Sequence, residues 1–225
     1  PVTVECYARL NGAKSYNILI ANEPKRSSTH WEIFTQPGNG FLTAYLPGCQ
    51  PDHVRTEINV TDGKWHHVAM VFEEQRARLF ADGKLAGEQA IARRQGDRVP
   101  GSLVMGGLDG DGLGCDGEIL WVRIANIARE IAGATAEAPV PDKHTIGLWR
   151  FDRGFSGQVA DLSEQRKAAI VSTMQFVSPE TGIWPRLMQG GMSGAFQPMP
   201  PAKDVGADRR LLAEAIAASG LKSVS

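Results

Sequence analysis

Alternation of apolar with polar or smaller residues is the feature that most constrains how this chain of 225 residues can fold. In VTVECYARL, the side chains of Val4, Cys6 and Ala8 fall on one face of an extended strand. The same period recurs in YNILIAN, HWEIFTQ, FLTAYLPG, VRTEINV, WHHVAMVFE, ARLFADG, SLVMGG and GEILWVRIAN. Turn sequences rich in Gly, Pro and Asp separate these segments. The pattern predicts an all-β fold, an antiparallel β-sandwich or jelly roll.

The charge balance excludes several classes of partner. Lys and Arg number 24 against 25 Asp and Glu, so the net charge is -1 and offers no general attraction for nucleic acid. No apolar run approaches the roughly 18 residues of a membrane-spanning helix, so we expect no membrane insertion. Pro1 follows no signal peptide, which predicts a mature, trimmed or cytosolic chain.

The chain changes character after its ninth predicted strand. Residues 132–145 are rich in Ala and Pro and predict an extended linker between the main body, 1–131, and returning strands at 146–178. These parts together form the predicted sandwich domain, 1–178. Residues 179–225 predict an irregular C-terminal arm followed by one short α-helix, in which Leu211, Leu212, Ala215 and Ile216 form an apolar stripe.

The three cysteines match no metal or redox spacing. Cys6 lies on the apolar face of its strand, so we interpret it as a buried thiol. Cys49 and Cys115 both lie in Gly-rich loops, which makes them the only plausible disulfide partners.

The stretch DGKWHHVAMVFEEQRARLFADGK holds adjacent histidines beside a tryptophan. In a strand, Trp65 and His67 point to one side and His66 to the other, so the histidines cannot jointly chelate one ion. The flanking Asp62-Gly63 and Asp82-Gly83 pairs predict tight turns with positive φ at glycine. We interpret the stretch as a fold element and not as a catalytic site.

Several segments in this order resemble laminin-G-like jelly-roll domains of the concanavalin A-like lectin and glucanase superfamily, which has pentraxins as relatives. They are VTVECYARL, DGKWHHVAMVFE, RLFADGKLAGE, GGLDGDGLGCDGEI and VRIANIARE, covering about Val2 to Glu130. GLWRFDRGFSGQVADLSE resembles the segment that usually opens such a domain, although here it comes late. We therefore expect a circular permutation that completes the sandwich, or else a second, truncated copy.

The resemblance assigns structural roles to aromatic residues. It implies that Trp65 fills the sandwich core and that His66 and His67 mark the fold. We assign Trp121 and Trp149 to the same core. The resemblance also implies an extracellular, periplasmic or cell-envelope location.

Enzymatic relatives would need paired carboxylates on one strand face, as in an ExDxE run, for a retaining mechanism. No such run occurs, and Glu5, Glu32, Glu57 and Glu118 stand on separate strands. The strand signatures of superfamily lyases are absent as well. We therefore expect a protein that is not an enzyme.

Calcium is the cofactor that the resemblance implies. Asp109, Asp111 and Asp116 lie among glycines in LDGDGLGCDG, and calcium prefers several hard oxygen ligands. The alternative interpretation is that these aspartates only form turns. Ala69 stands where pentraxins place the second cysteine of a disulfide, so Cys6 lacks that partner.

A sugar site needs an aromatic platform with hydrogen-bonding neighbours. Our candidate ligand-binding residues are Trp31, Tyr45, Arg55, Glu57, Asn59 and Trp184. Trp31 and Tyr45 also fit the alternative of core residues, because they alternate with strand partners.

Three function classes follow. The leading one is a non-catalytic recognition module for polysaccharide or glycoprotein, calcium-assisted and part of a larger extracellular or envelope protein. The second is a structural or assembly subunit that binds a protein partner through residues 179–225. The third is a polysaccharide-active enzyme of the glucanase or lyase type.

Overall fold

The computed structural model describes residues 1–108, 112–133, 136–152 and 158–165, together with the backbone of short strands at 169–170, 174–175 and 186–187. Within these residues the chain forms antiparallel β-sheets and no helix. The predicted all-β sandwich is thus confirmed. In the same part of the chain, no helix has the length and hydrophobicity that a membrane crossing requires.

Eight described strands form the large sheet: β1 (Val2–Leu10), β7 (Trp65–Phe72), β8 (Arg76–Ala81), β9 (Lys84–Ala90), β12 (Gly117–Ala125), β13 (Thr145–Arg150), β16 (Met174–Gln175) and β17 (Arg186–Leu187). Their order is β16-β17-β12-β1-β7-β8-β9, and β13 also pairs with β12.

Five described strands form the small sheet: β2 (Asn17–Asn22), β3 (Trp31–Thr35), β4 (Phe41–Tyr45), β6 (His53–Asn59) and β11 (Leu103–Met105). Their order is β11-β2-β3-β4-β6, which makes β6 an edge strand. Two short pairs lie outside these sheets: β5 (Cys49–Gln50) with β10 (Ala92–Arg93), and β14 (Gln158–Val159) with β15 (Ala169–Ile170).

The core lies between the inner faces of the two sheets. Val4 and Met70 of the large sheet and Ile33 and Leu42 of the small sheet belong to one cluster, and each is fully buried. Burial of each such side chain stabilises the fold by roughly 1.5–3 kcal/mol. Every second residue of these strands therefore faces away from the core, which leaves two outer faces for other roles.

Most predicted strands are present, and one additional long strand is found. β9 has the sequence KLAGEQA and follows β8 in the large sheet, although its residues lack strict alternation. The strand predicted in IGLWRFD is β13, which pairs with the edge of β12. The permutation and the domain boundaries stay predictions. Except for the backbone of β17, residues 179–225 lie outside the described part of the chain, including the predicted arm and helix.

The turn predictions around the WHH stretch are confirmed. Gly63 and Gly83 have φ angles of 79° and 78°. His66 links the two turns, because its Nε2 lies 2.9 Å from Asp62 Oδ1 and its Nδ1 lies 2.8 Å from Asp82 Oδ2. The first histidine of the stretch therefore has a structural role.

The expected pairing of Cys49 with Cys115 is wrong in this structure, where all three cysteines are buried free thiols. Cys115 lies next to Gly114, whose carbonyl accepts a hydrogen bond from the Ile18 amide at the start of β2. Cys49 lies next to Gly48, which packs on the Ser28 carbonyl beyond the other end of β2. The two thiols are thus at opposite ends of one strand. Cys6 is buried as predicted, and burial raises its thiol pKa to about 12.

Candidate functional site

The outer face of the small sheet, hereafter the open face, carries two rows of side chains across β3, β4 and β6. Tyr45 on β4 pairs in register with Glu32 on β3 and with His53 on β6. In the next row, Thr43 pairs with Phe34 and with Arg55. The alternating residues of these strands, Ile33, Leu42, Ala44 and Val54, are in the core, so the two rows lie on the side away from it. Tyr45 and His53 are half-buried there and Arg55 is exposed, whereas Glu32, Phe34 and Thr43 are buried.

Tyr45 is a half-buried ring held between two imidazoles at the centre of the first row. Its centroid lies 4.8 Å from that of His53 and 5.8 Å from that of His30. Burial raises the pKa of the Tyr45 hydroxyl, and the carboxylates of Asp52 and Glu32 raise it further. The phenol therefore stays protonated at neutral pH and can donate a hydrogen bond.

Neighbouring groups orient both imidazoles. His53 Nδ1 lies 2.7 Å from Asp52 Oδ1, and this hydrogen bond lowers the pKa of Asp52. His30 Nδ1 lies 2.7 Å from the Asn22 carbonyl oxygen and 2.9 Å from that of Glu23. Because both partners of His30 Nδ1 only accept, this nitrogen carries the proton. The rings that hold Tyr45 are themselves fixed.

Glu32 of this row and His30 form a buried polar pair, at 3% and 2% exposure. His30 Nε2 lies 3.6 Å from Glu32 Oε2, and Lys25 Nζ lies 3.7 Å from Glu32 Oε1. Neither His30 Nε2 nor Glu32 Oε2 has a hydrogen-bond partner among the described residues. The Glu32 side chain therefore lies near Lys25 and His30 and does not project into solvent.

Arg55 is the exposed cation of the second row, and no carboxylate of the described chain forms an ion pair with it. Beyond Arg55 the register shifts, because Asn59 pairs with Phe41 while Arg55 pairs with Thr43. Glu57 lies within this irregular, exposed stretch. Arg55 therefore stands in register on the open face, whereas Glu57 lies at its margin.

Hydrophobic contacts bound the open face on its β2 side. Phe34 packs with Ile18 and Leu108, and Leu113 packs against the same cluster. The exposed Tyr16 ring lies 5.8 Å from the Phe34 ring. The face thus combines aromatic surface with polar groups along β6.

The predicted ligand residues occupy different places in the structure. Tyr45 and Arg55 lie on the open face, in adjacent rows. Trp31 belongs to the core between the sheets. The Oδ1 of Asn59 accepts hydrogen bonds from the amide and hydroxyl of Thr61, so this side chain closes a turn. Trp184 lies outside the described residues.

Sequence reasoning missed His30, Asp52 and His53 as parts of this site. His30 precedes β3, whereas Asp52 and His53 belong to the segment that enters β6. Only the register β3-β4-β6 brings them to Tyr45. An imidazole beside a carboxylate in the pair Asp52-His53 was the one available signal.

The outer face of the large sheet, hereafter the sealed face, holds a second aromatic group. The Tyr7 ring stacks on Trp65 at 5.3 Å and lies nearly parallel to Trp121 at 6.2 Å. The guanidinium of Arg9 lies 5.4 Å from the Trp65 ring centroid and 2.7 Å from Glu118 Oε2. The cations and carboxylates of this face are therefore matched.

The assignment of Trp65 to the sandwich core is wrong. Trp65 is half-buried and shares its outward direction with His67, because Val68 and Met70 occupy the inward positions of β7. Trp121 is buried, but it also lies on the outer side, beside Tyr7 and His67. Trp149 lies in the core as predicted.

Residues 126–133, hereafter the strap, cover part of the sealed face. Thr3 Oγ1 donates to the Ile127 carbonyl at 2.7 Å, and the Arg129 amide donates to Thr3 Oγ1 at 3.0 Å. Farther along, Ile131 packs against a buried cluster of Ala69, Val71 and Phe80. The strap makes this side of the large sheet a second core.

A buried charge pair lies beside the strap. Arg123 Nη2 lies 2.5 Å from Glu5 Oε2, and His67 Nε2 lies 3.3 Å from Glu5 Oε1. Burial acts to raise the pKa of Glu5, but the contacts with His67 and Arg123 outweigh it and hold the pKa below its ordinary value. Glu5 is therefore ionised at neutral pH.

A second candidate is a cleft of about 630 Å³ whose lining has no aromatic ring and no lysine or arginine. It is lined by Pro141, Asp142, Ala160, Asp161, Leu162, Ser163 and Glu164. Asp161 Oδ1 accepts hydrogen bonds from the amides of Leu148 and Ser163, and Asp142 pairs with Arg129. These carboxylates hold the backbone and the strap. The open face is the better candidate site because its aromatic and charged groups converge.

The calcium prediction concerns a loop that is only partly described. Asp109 and Asp111 lie outside the described residues. Asp116 Oδ1 accepts a hydrogen bond of 3.0 Å from Asn11. The described residues hold no group of three or more His, Cys, Asp or Glu side chains that could bind a metal ion. The calcium site therefore stays a prediction.

Comparisons with solved structures find matches at low sequence identity. A protein of Bacteroides ovatus, provisionally described as carbohydrate binding, is 12% identical with a TM-score of 0.54, over 76% of this chain and 54% of that one. The heptameric SAP-like pentraxin of Limulus polyphemus is 15% identical with a TM-score of 0.43, over 60% and 65% of the two chains. The CBM40 of the Ruminococcus gnavus IT-sialidase is 13% identical with a TM-score of 0.42, over 57% and 77%.

The chain thus spans about half of the Bacteroides ovatus protein, at 54%. The likeness to that protein concerns the fold. No curated protein sequence matches this chain. A laminin G family model, described as Concanavalin A-like lectin/glucanases superfamily, matches residues 1–132. These residues contain all five described strands of the small sheet and five of the large sheet, and the chain belongs to the concanavalin A-like lectin/glucanases superfamily.

Proposed function

We propose that this domain is a non-catalytic module that binds carbohydrate on its open face. The observation that carries the proposal is the Tyr45 ring, fixed between His30 and His53 and next to the row of Arg55. Sugar rings present CH groups that pack on aromatic rings, while their hydroxyls need hydrogen-bonding partners. Tyr45 offers the ring and a hydroxyl, and Arg55 offers further donors.

A fixed ring favours binding because little conformational entropy is lost when the ligand arrives. Tyr45 has contacts from imidazoles on two sides, and those imidazoles are held by Asp52 and by backbone carbonyls. The superfamily name and the description of the Bacteroides ovatus protein are consistent with this class of ligand.

The carboxylates of the sealed face support a non-catalytic role. A glycosidase needs one carboxyl group with a raised pKa as general acid. Glu5 has a lowered pKa and pairs with Arg123, while Glu118 pairs with Arg9. This arrangement stabilises charge and does not supply a proton.

The proposal extends to the biological ligand and its location. We expect a polysaccharide or a glycoprotein glycan, bound in the extracellular space or the cell envelope, with this domain as part of a larger protein. Calcium bound by Asp109, Asp111 and Asp116 would rigidify the loop between Leu108 and β12, and Leu108 packs on Phe34 at the margin of the open face. The assembly function of residues 179–225 stays a prediction, because these residues lie outside the described part of the chain except for the backbone of β17.

The proposal is tested by binding of the purified protein to an array of immobilised plant, bacterial and animal polysaccharides. We expect saturable binding to at least one glycan, a loss of at least about tenfold in Tyr45→Ala, and a smaller loss in Tyr45→Phe, which retains the ring. A reducing-sugar assay on each bound glycan should show no turnover. Absence of glycan binding, or turnover of a bound glycan, would refute the proposal.

A further inference from the structure

Arg55 differs from nearly every other arginine whose side chain the structure describes. Seven form ion pairs with carboxylates: Arg9, Arg76, Arg78, Arg98, Arg123, Arg129 and Arg150. Arg94 donates to the Gln50 side chain, and Arg93 lies over the Phe72 ring. Within the described residues, Arg26 and Arg55 have no such partner, and Arg55 is the one on a sheet face.

The carboxylates of Asp52 and Glu32 already have other ionisable groups beside them. Asp52 lies 2.7 Å from His53, and Glu32 lies near Lys25 and His30. Glu57 is exposed on the same strand, but it lies within the stretch where the register shifts and forms no ion pair with Arg55 among the described residues. Among the described residues, the Arg55 guanidinium is thus an exposed positive group with no ion-pair partner, on the edge strand of the open face.

The position of Arg55 fits a ligand that also contacts Tyr45. Arg55 pairs with Thr43, whose neighbours along the outer side of β4 are Phe41 and Tyr45. Residues two apart on a strand are separated by roughly 6.6 Å, about one pyranose ring. A saccharide packed on Tyr45 would therefore bring a substituent of the same or the next ring within reach of the Arg55 guanidinium.

We propose that the saccharide bound on the open face carries an anionic group, a carboxylate or a sulfate ester, that pairs with Arg55. This inference rests on the proposed carbohydrate-binding function. A guanidinium donates through a planar fork that matches two oxygens of such a group. The ligand displaces water from the guanidinium, so the pair has a larger effect than an ion pair that remains in solvent.

The test uses two matched pairs of probes in titration calorimetry: oligogalacturonate with its methyl ester, and dextran sulfate with dextran. We expect at least one anionic probe to bind about tenfold more tightly than its neutral counterpart. Arg55→Gln should remove this preference, and Arg55→Lys should retain part of it. Added NaCl should weaken binding of the anionic probe by wild-type protein.

The control is Arg26→Gln, in the loop between β2 and β3, which removes the other guanidinium without a partner among the described residues and should leave the preference intact. Equal binding of the charged and neutral probes, binding of neither anionic probe, or an unchanged preference in Arg55→Gln would overturn the inference. Binding of neutral glycans that Tyr45→Ala abolishes would keep the proposed function while refuting the anionic ligand. The probe pair that shows the preference identifies the group as carboxylate or sulfate.

Discussion

The two outer faces of this sandwich carry similar residues, but these residues have different partners. Each has a half-buried tyrosine among other rings, with Tyr7 on the sealed face and Tyr45 on the open face. On the sealed face, Arg9 and Arg123 are paired with buried carboxylates and the strap covers the neighbouring surface. On the open face, Arg55 is exposed and has no ion-pair partner in the part of the chain that the structure describes.

We propose that the partners of an arginine, and not its presence, indicate the role of a sheet face. A buried carboxylate and guanidinium that satisfy each other hold strands together. An exposed guanidinium contributes little to folding, so it is available for a ligand. We therefore expect changes on the sealed face to affect stability, and changes on the open face to affect binding.

The largest effect on stability should come from breaking the buried pair. Arg123→Met leaves the carboxylate of Glu5, 3% exposed, without its closest cation. We expect the free energy of unfolding to fall by about 3 kcal/mol. Arg55→Met is the matched change on the open face and should cost less than about 0.5 kcal/mol. Urea unfolding of both variants measures the difference, and equal losses would contradict the contrast between the faces.

Calcium should have the next largest effect if the Gly-rich loop binds it. A ligand that binds only the folded state at about a hundredfold excess over its Kd stabilises by about 2.7 kcal/mol. We therefore expect EDTA to lower the melting temperature and added CaCl₂ to restore it, with a smaller response in Asp116→Asn. An unchanged melting temperature in EDTA would remove the basis of the calcium proposal.

A smaller, pH-dependent effect should come from His66 on the large sheet. Burial acts to lower its pKa, but Asp82 and Asp62 outweigh it and raise the pKa above the ordinary value of 6.5. The charged imidazole therefore stabilises the fold fully below pH 6.5, and this contribution disappears as the pH rises through the raised pKa.

His66→Gln should accordingly cost up to about 1 kcal/mol at pH 5.5 and less at pH 8. Urea unfolding of the variant and of wild-type protein at both pH values measures this. A loss that is the same at both, or larger at pH 8, would show that the bridge between the turns does not carry the pH dependence. Glycan binding should be unaffected at either pH, since His66 lies off the open face.

The sequence pattern identified most strands but not the side of the sheet that each residue faces. The alternation in WHHVAMVFE predicted β7 correctly, because Val68 and Met70 recur at every second position. It did not show which side Trp65 takes, since both faces of this strand are rich in apolar residues and the strap buries the outer one. β9 was missed because it lies at a sheet edge and its residues lack strict alternation.

The candidate site was only partly predictable for a related reason. Tyr45 and Arg55 could be chosen from their residue types, but their placement in adjacent rows depends on the register between β4 and β6. The contacts of His30 and His53 with Tyr45 depend on a further register, between β3 and β4. Such pairings are set by the whole sheet, and a single sequence does not specify them.

The most direct test of the account compares binding by Tyr45→Ala and Tyr7→Ala, which remove the same side chain from the two faces. Calorimetric titration with a glycan that the wild-type protein binds should show at least about tenfold weaker binding for Tyr45→Ala and unchanged binding for Tyr7→Ala. Unfolding should show the larger stability loss for Tyr7→Ala, because its ring stacks against Trp65 and Trp121. Unchanged binding by Tyr45→Ala, together with lost binding by a folded Tyr7→Ala, would place the ligand on the other face and contradict the account.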